Sequence, residues 1–342
     1  MDFMLKHTKI IFISLVILLL CFILSMIVGR YPLTLNSMLN LVKFKIVGQP
    51  TEPDMLQDHI VFWSVRLPRA LMGLWVGAML GISGTVFQGL FKNPLVSPDI
   101  LGVSAGASFG AGLAIVFVST SALAIQSFSF IFGLTAVIIA YRMGSHRTGS
   151  TLATMVLSGV IVSSLFSAGL SFLKYIADPY EQLPTIVFWT MGGFNNIVWN
   201  DIIKTFPPMT ICAIILFLFR WNLNIMTLED KDAKSLGIDV NKIRIIYIFL
   251  ATLMVASSIS SCGTIAWVGL VVPHMARLIV GPDHSILLPF SAILGGGFML
   301  LMDTIARTIT GGEIPISIIT SFIGAPFLGY LMLKQEKNDL NE

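Results

Sequence analysis

Arg66-Leu67-Pro68-Arg69 sets two guanidinium groups on either side of a proline, and Asp303 and Arg307 stand four residues apart. Guanidinium forks bind carboxylates bidentately, so Arg66, Arg69 and Arg307 could receive acidic residues of another protein, or as arginines near a helix end could simply snorkel to the interface. The i, i+4 spacing also lets Asp303 and Arg307 neutralise one another. A second charged stretch, Arg220 to Arg244, contains Leu228-Glu229-Asp230-Lys231-Asp232-Ala233-Lys234-Ser235-Leu236-Gly237-Ile238. Its acids precede its lysines and Gly237 can stop a helix, which fits a short amphipathic helix that docks a partner or a solvated loop. Ser83, in Gly81-Ile82-Ser83-Gly84, and the distant His274 are the residue types of a nucleophile and a base. Cys21, Cys212 and Cys262 are isolated and no HExxH or CxxC occurs, so a protein-bound catalytic metal is not expected. No GxxxxGK[ST] occurs either, so the chain has no P-loop for ATP.

The elements that must position these residues are membrane helices. The chain is 342 residues long, 55% hydrophobic and 11% charged, where a soluble domain carries charge on roughly a quarter of its residues. A span takes about 20 apolar residues, so the composition fits about ten spans and leaves no room for a soluble catalytic domain. The net charge of +3 argues against a nucleic-acid partner, which is held by clustered positive charge. The uncharged run from Ile10 to Val28 is too long for a secretory signal and reads as a retained first helix. A polar stretch with three prolines follows from Gly29 to His59. Further apolar runs cover 70–91, 100–141, 148–173, 205–219, 245–276, 284–302 and 314–333. The second must turn near Ser119 to Ser121, and 245–276 must break at Ser260, Ser261, Gly263 or Pro273. Residues 182–200 are uncharged but rich in Gly, Pro and Asn, which fits a short or re-entrant piece lining a cavity.

With about ten spans both termini lie on one side, and the excess of Lys and Arg on that side makes it the cytoplasm. The arginines at 66, 69 and 307 are then outside and the 220–244 segment inside. Gly73/Gly77/Gly81 and Gly102/Gly106/Gly110 recur every fourth residue, a spacing that lets helices pack closely. Gly84-Thr85-Val86 is echoed by Gly263-Thr264-Ile265, which would fit an inverted repeat. The Gly81–Gly84 tetrapeptide resembles the GxSG of rhomboid-type intramembrane proteases, but four small residues in a glycine-rich helix match easily by chance. A packed serine, and a His274 satisfied by a backbone carbonyl, is the favoured reading. A proton- or sodium-coupled carrier would place ionisable residues in mid-span, where this chain has Ser, Thr, Gly and aliphatics.

Arg66-Leu67-Pro68-Arg69, Gly81 to Gln88 and Asn93-Pro94-Leu95-Val96-Ser97-Pro98-Asp99-Ile100-Leu101-Gly102 together resemble the FecCD family, permease subunits of ABC importers for iron-siderophores, haem and cobalamin. The resemblance continues through Phe188 to Gly192, Val268 to Arg277, Asp303 to Arg307, Glu313-Ile314-Pro315 and Gly324 to Phe327. It covers about 60–333 in order; before residue 60 only a span and an outer loop correspond. The resemblance implies an all-α polytopic protein of the type II ABC importer fold, one permease domain over 1–342, with both termini cytoplasmic and a location in a bacterial or archaeal plasma membrane. It implies a second permease subunit, two cytoplasmic ATPases that hold ATP and magnesium, and an extracytoplasmic substrate-binding protein. Arg66, Arg69 and Arg307 match positions that receive acids of the binding protein. Leu228, Glu229, Asp230, Ala233, Leu236 and Gly237, within a coupling segment at about 221–242, match the part that enters the ATPase. Thr148, Gly149, Ser150 and Thr151 fall where the family closes an inner gate. The cargo expected is a ferric siderophore, with haem, cobalamin or an oxyanion as the alternatives, and this chain itself is not an enzyme.

Overall fold

The computed structural model describes residues 2–47, 55–145 and 152–339, and among these every regular element is helical. In order they are α1 (Asp2–Ile27), α2 (Leu35–Val47), α3 (Leu56–Ile60), α4 (Leu67–Leu90), α5 (Val103–Phe117), α6 (Ala122–Ser145), α7 (Leu152–Ile176) and α8 (Gln182–Met191). They continue as α9 (Trp199–Leu218), α10 (Arg220–Met226), α11 (Asp230–Ser235), α12 (Val240–Cys262), α13 (Val268–Val280), α14 (His284–Ala306) and α15 (Ile316–Asp339). A π-helical turn, Val61–Arg66, fuses α3 and α4 into one rod. Seven helices are long and apolar enough to cross a membrane, and Val103–Phe117, Val268–Val280 and Ile316–Leu331 are shorter apolar helices.

The most apolar window of α1 is 17% buried inside the chain, against 83% for the rod Leu56–Leu90, so the rod is the axis and α1 the rim. Small residues explain how neighbours reach that axis. A Cβ on Gly77 would overlap the Gly295 carbonyl of α14, and one on Gly84 the Gly269 carbonyl of α13. Gly106 and Gly110 meet the α6 backbone at Phe132 and Phe128 in the same way. The fourfold glycines are therefore packing faces, as their spacing indicates, and they supply the close backbone approach that lipid cannot.

The turn expected at 119–121 separates α5 from α6, and 182–200 is a short helix followed by irregular backbone. The 245–276 run breaks at 263–267, with Pro273 retained inside α13. Two readings are corrected. The polar stretch at 29–59 contains α2, which packs Met38 and Leu41, three residues apart on one face, in a cluster with Met26, Phe62 and Leu300. The glycine echo has no common local structure, since Gly84-Thr85 lies inside α4 whereas Gly263-Thr264 lies in the break after α12.

Candidate functional site

One end of the bundle carries the C-terminus of α1, the start of α4 and the end of α14, and there the three arginines meet. Arg66, Arg69 and Arg307 are 4%, 6% and 7% exposed, which corrects the expectation of forks open to the outside. Arg66 donates to the carbonyls of Met26 (2.5 Å), Ile27 (2.7 Å) and Tyr31. It thereby satisfies the acceptors left at the end of α1, where a helix has no partners of its own. Arg69 donates from Nη2 and Nε to Asp303 at 2.8–3.1 Å, and from Nη1 to Glu313 at 2.9 and 3.0 Å. Arg307 donates to the carbonyl and hydroxyl of Ser25, and its Nε lies 3.5 Å from Asp303. The self-neutralising Asp303/Arg307 pair thus exists, but Asp303 makes its hydrogen bonds to Arg69.

The opposite end is built differently. The C-terminus of α4 meets α11, where Lys92 bonds the Leu228 carbonyl and lies 3.6 Å from Asp230, while Arg244 reaches Asp230 at 3.2 Å. Ala233 is 1% exposed beneath α11. The helix ends in a Schellman motif, with Gly237 at φ +80°, its N–H on Lys234 and the Ile238 N–H on Ala233. Asp239 then caps α12 by accepting from the Lys242 N–H. Nearby, Asn224 of α10 donates to Asp283 at 2.7 Å and accepts from the His284 N–H at 2.8 Å, tying α10 to the start of α14. Of the six predicted coupling residues, Asp230 and Ala233 hold the segment. Leu228, Glu229, Leu236 and Gly237 project outward, with Leu236 62% exposed. The predicted gate, Thr148 to Thr151, lies outside the described residues.

Between these ends are two cavities of about 520 and 490 Å3. The larger is lined by Ser97, Asp99, Ser104, Ser108, Ser258 and Thr264 among apolar side chains, with Ser97 and Asp99 supplied by the α4–α5 connection. The smaller is lined by Gln126, Asn195, Asn196, Asp201, Ser261 and Glu313, the last of which also bonds Arg69. Cys262 and Gly263 line both. There the backbone after α8 crosses the backbone after α12, with the Gly193 N–H on the Cys262 carbonyl at 2.7 Å and Thr264 Oγ1 on the Thr190 carbonyl. Gly192 (φ +66°, ψ 147°) and Gly263 (φ +71°, ψ −171°) take conformations essentially closed to other residues. A Cβ on Gly263 would also overlap the Trp189 carbonyl, and one on Gly192 the Thr264 carbonyl. This crossing is a septum between the cavities. The composition of 182–200 signalled a wall; its partner at 263–267 was visible only as a helix break.

Ser83 is fully buried and donates to the Ala251 carbonyl at 3.2 Å, which fits the packed serine. His274 differs from expectation, because neither ring nitrogen has a hydrogen-bond partner among the described residues. The three cysteines are buried and free, and no group of metal-ligating side chains occurs among the described residues.

A family model described as the FecCD transport family matches residues 17–334. The chain is 40% identical to the molybdate import permease MolB of Haemophilus influenzae, over 98% of this chain and 99% of that one. It is 38% identical to the cobalamin import permease BtuC of Halobacterium salinarum, over 81% and 74% respectively. A solved inward-facing conformation of a metal-chelate type ABC transporter superposes with a TM-score of 0.85 at 39% identity, covering 96% of this chain and 99% of that one.

Proposed function

The chain belongs to the FecCD transport family of ABC importer permeases, and from that premise we propose that it carries a ferric siderophore inward through the two cavities. The three shorter apolar helices complete about ten spans, with both termini and the α10–α11 segment in the cytoplasm. A substrate-binding protein docks at the arginine end, two ATPases engage Leu228, Glu229, Leu236 and Gly237, and a second permease subunit closes the pathway. ATP and magnesium reside on the ATPases. The Gly192–Gly263 septum is the outer barrier that rocking of the two permease subunits opens, and Thr148 to Thr151 form the inner one.

The observation that carries the cargo is the lining of the larger cavity. It has many hydroxyls, one carboxylate at Asp99 and neither Lys nor Arg. A bare oxyanion would find hydroxyl donors but no counter-charge there, and Asp99 would repel it, so its desolvation is compensated only in part. A chelate whose metal is already ligated needs none. The second reading, an oxyanion such as molybdate, is favoured by the near full-length match to MolB. The two are separated by presenting a panel of ferric siderophores, haem, cobalamin and molybdate to proteoliposomes that hold the permease, its ATPases and its binding protein. Uptake of a ferric siderophore and not of molybdate supports the proposal, and the converse overturns it.

A further inference from the structure

Arg69 faces two carboxylates of unlike standing. The Asp303 side chain is 2% exposed and sits on a helix, whereas the Glu313 side chain is 28% exposed and lies in the irregular connection between α14 and α15. Glu313 follows Gly311 and Gly312, around which a Cβ would meet nothing within 4 Å, so the strand of chain that delivers it has room to move. Charge within the cluster is unbalanced. Arg66, Arg69 and Arg307 face only Asp303 and Glu313 among the described residues, and Arg66 has backbone acceptors alone. A carboxylate arriving from outside meets a net positive site, and replacing Glu313 on Arg69 leaves both Arg69 and Asp303 paired, which avoids the large cost of orphaning either.

Immediately beyond Glu313 the chain is tied to the septum. The Ile316 N–H donates to the Gly192 carbonyl at 3.1 Å and Ser317 Oγ to the Met191 carbonyl at 2.5 Å. Glu313 and Pro315 also line the smaller cavity.

We propose that Glu313 is a displaceable latch: its carboxylate occupies Arg69 until an acidic side chain of the binding protein takes its place, and its departure loosens the 313–317 backbone that pins the septum. The inference rests on the docking assigned above. It identifies the internal competitor for that docking and the backbone path by which docking reaches the pathway.

The test measures binding of the importer's own ligand-free substrate-binding protein to the permease in nanodiscs, for wild type, Glu313→Gln and Glu181→Gln. Glu181 is an exposed carboxylate at the start of α8, near the same cavity, with no bond to Arg69. Removing the competitor should tighten binding roughly tenfold, because the open form of Arg69 no longer has to be selected from a minor population. Glu181→Gln should change it less than about twofold, since exposed charges are largely screened. Amide exchange at Ile316 should quicken in Glu313→Gln without any partner present. Should Glu313→Gln fold poorly by thermal unfolding, Glu313→Asp, too short to hold Arg69 as well, should tighten binding to a lesser extent. Unchanged or weaker binding with a folded variant overturns the latch, as does equal tightening by Glu181→Gln. A wild-type permease that binds no substrate-binding protein overturns the docking reading itself.

Discussion

The two ends of the bundle use the same residue types to opposite ends. At the arginine end charges are buried and satisfied within the chain, joining α1, α4, α14 and the connection to α15. At the α11 end Arg244 is buried against a half-exposed Asp230 that Lys92 also approaches, while Glu229, Lys231, Asp232 and Lys234 around it are exposed. Burial decides which role a charge plays. A buried guanidinium with two carboxylates fixes helices in place, and Arg244 ties α12 to α11 in the same way, while the exposed charges around it are screened and contribute little to the fold.

That contrast can be broken most forcefully at Arg69. Arg69→Ala leaves Asp303 and Glu313 without their shared cation and should cost about 3–5 kcal/mol, read as a large drop in thermal unfolding of the detergent-solubilised protein. Charge reversal of Arg66 or Arg307 falls in the same class, so such variants would unfold the protein rather than report on docking. Next comes the septum. Gly263→Ala meets both a backbone conformation costing about 1–3 kcal/mol for other residues and the Trp189 carbonyl; it should lower stability moderately and raise leak of cargo across the outer barrier, measured as ATP-independent efflux from loaded proteoliposomes. At the α11 end, Asp230→Asn keeps the shape but takes the charge from the partner of Arg244, whose side chain is 6% exposed, and should cost about 1–3 kcal/mol, with local loosening of α11 visible by hydrogen exchange.

Asp283 offers a gentler probe in the same region. Burial pushes its carboxyl pKa up, but the Asn224 amide and the Ser285 N–H and hydroxyl push it further down, so the net value lies below the usual carboxylate range. Its contribution to stability is then present above the ordinary carboxylate pKa and is lost as pH falls through the lowered one. Acidification across that window should lower the protection of α10 amides, measured relative to their intrinsic exchange rates at each pH, in the wild type, and Asp283→Asn should remove that dependence. Smallest in stability is Leu236→Asp, expected within about 0.5 kcal/mol of wild type, yet it should uncouple ATP hydrolysis from transport.

Local pattern was enough to place the apolar helices, the turn at 119–121, the break near Gly263 and a short helix within the Leu228–Gly237 segment, because apolar run length and helix stops are read within a window of residues. What failed was non-local. Arg69 and Glu313 are 244 positions apart, and nothing in Arg66-Leu67-Pro68-Arg69 distinguishes an arginine facing a partner from one that caps the end of α1. Glu313-Ile314-Pro315 entered the sequence reading only as part of a resemblance, and its pairing with Arg69 appears once α4, α14 and the connection to α15 are brought together. Helix α2 was hidden by a polar composition whose few apolar residues, Met38 and Leu41 among them, are sufficient once Met26 and Phe62 offer a surface.

The central claim is that this permease holds itself together at the arginine end and is driven at the α11 end. It is tested by ATP-dependent uptake of a ferric siderophore into proteoliposomes containing the permease, its ATPases and its binding protein, comparing wild type with Leu236→Asp at equal folded protein. The account predicts uptake by the wild type that requires both ATP and the binding protein, and loss of that uptake in a variant with unchanged thermal unfolding. Uptake by Leu236→Asp at the wild-type rate, or wild-type uptake that needs no ATPase, would contradict it.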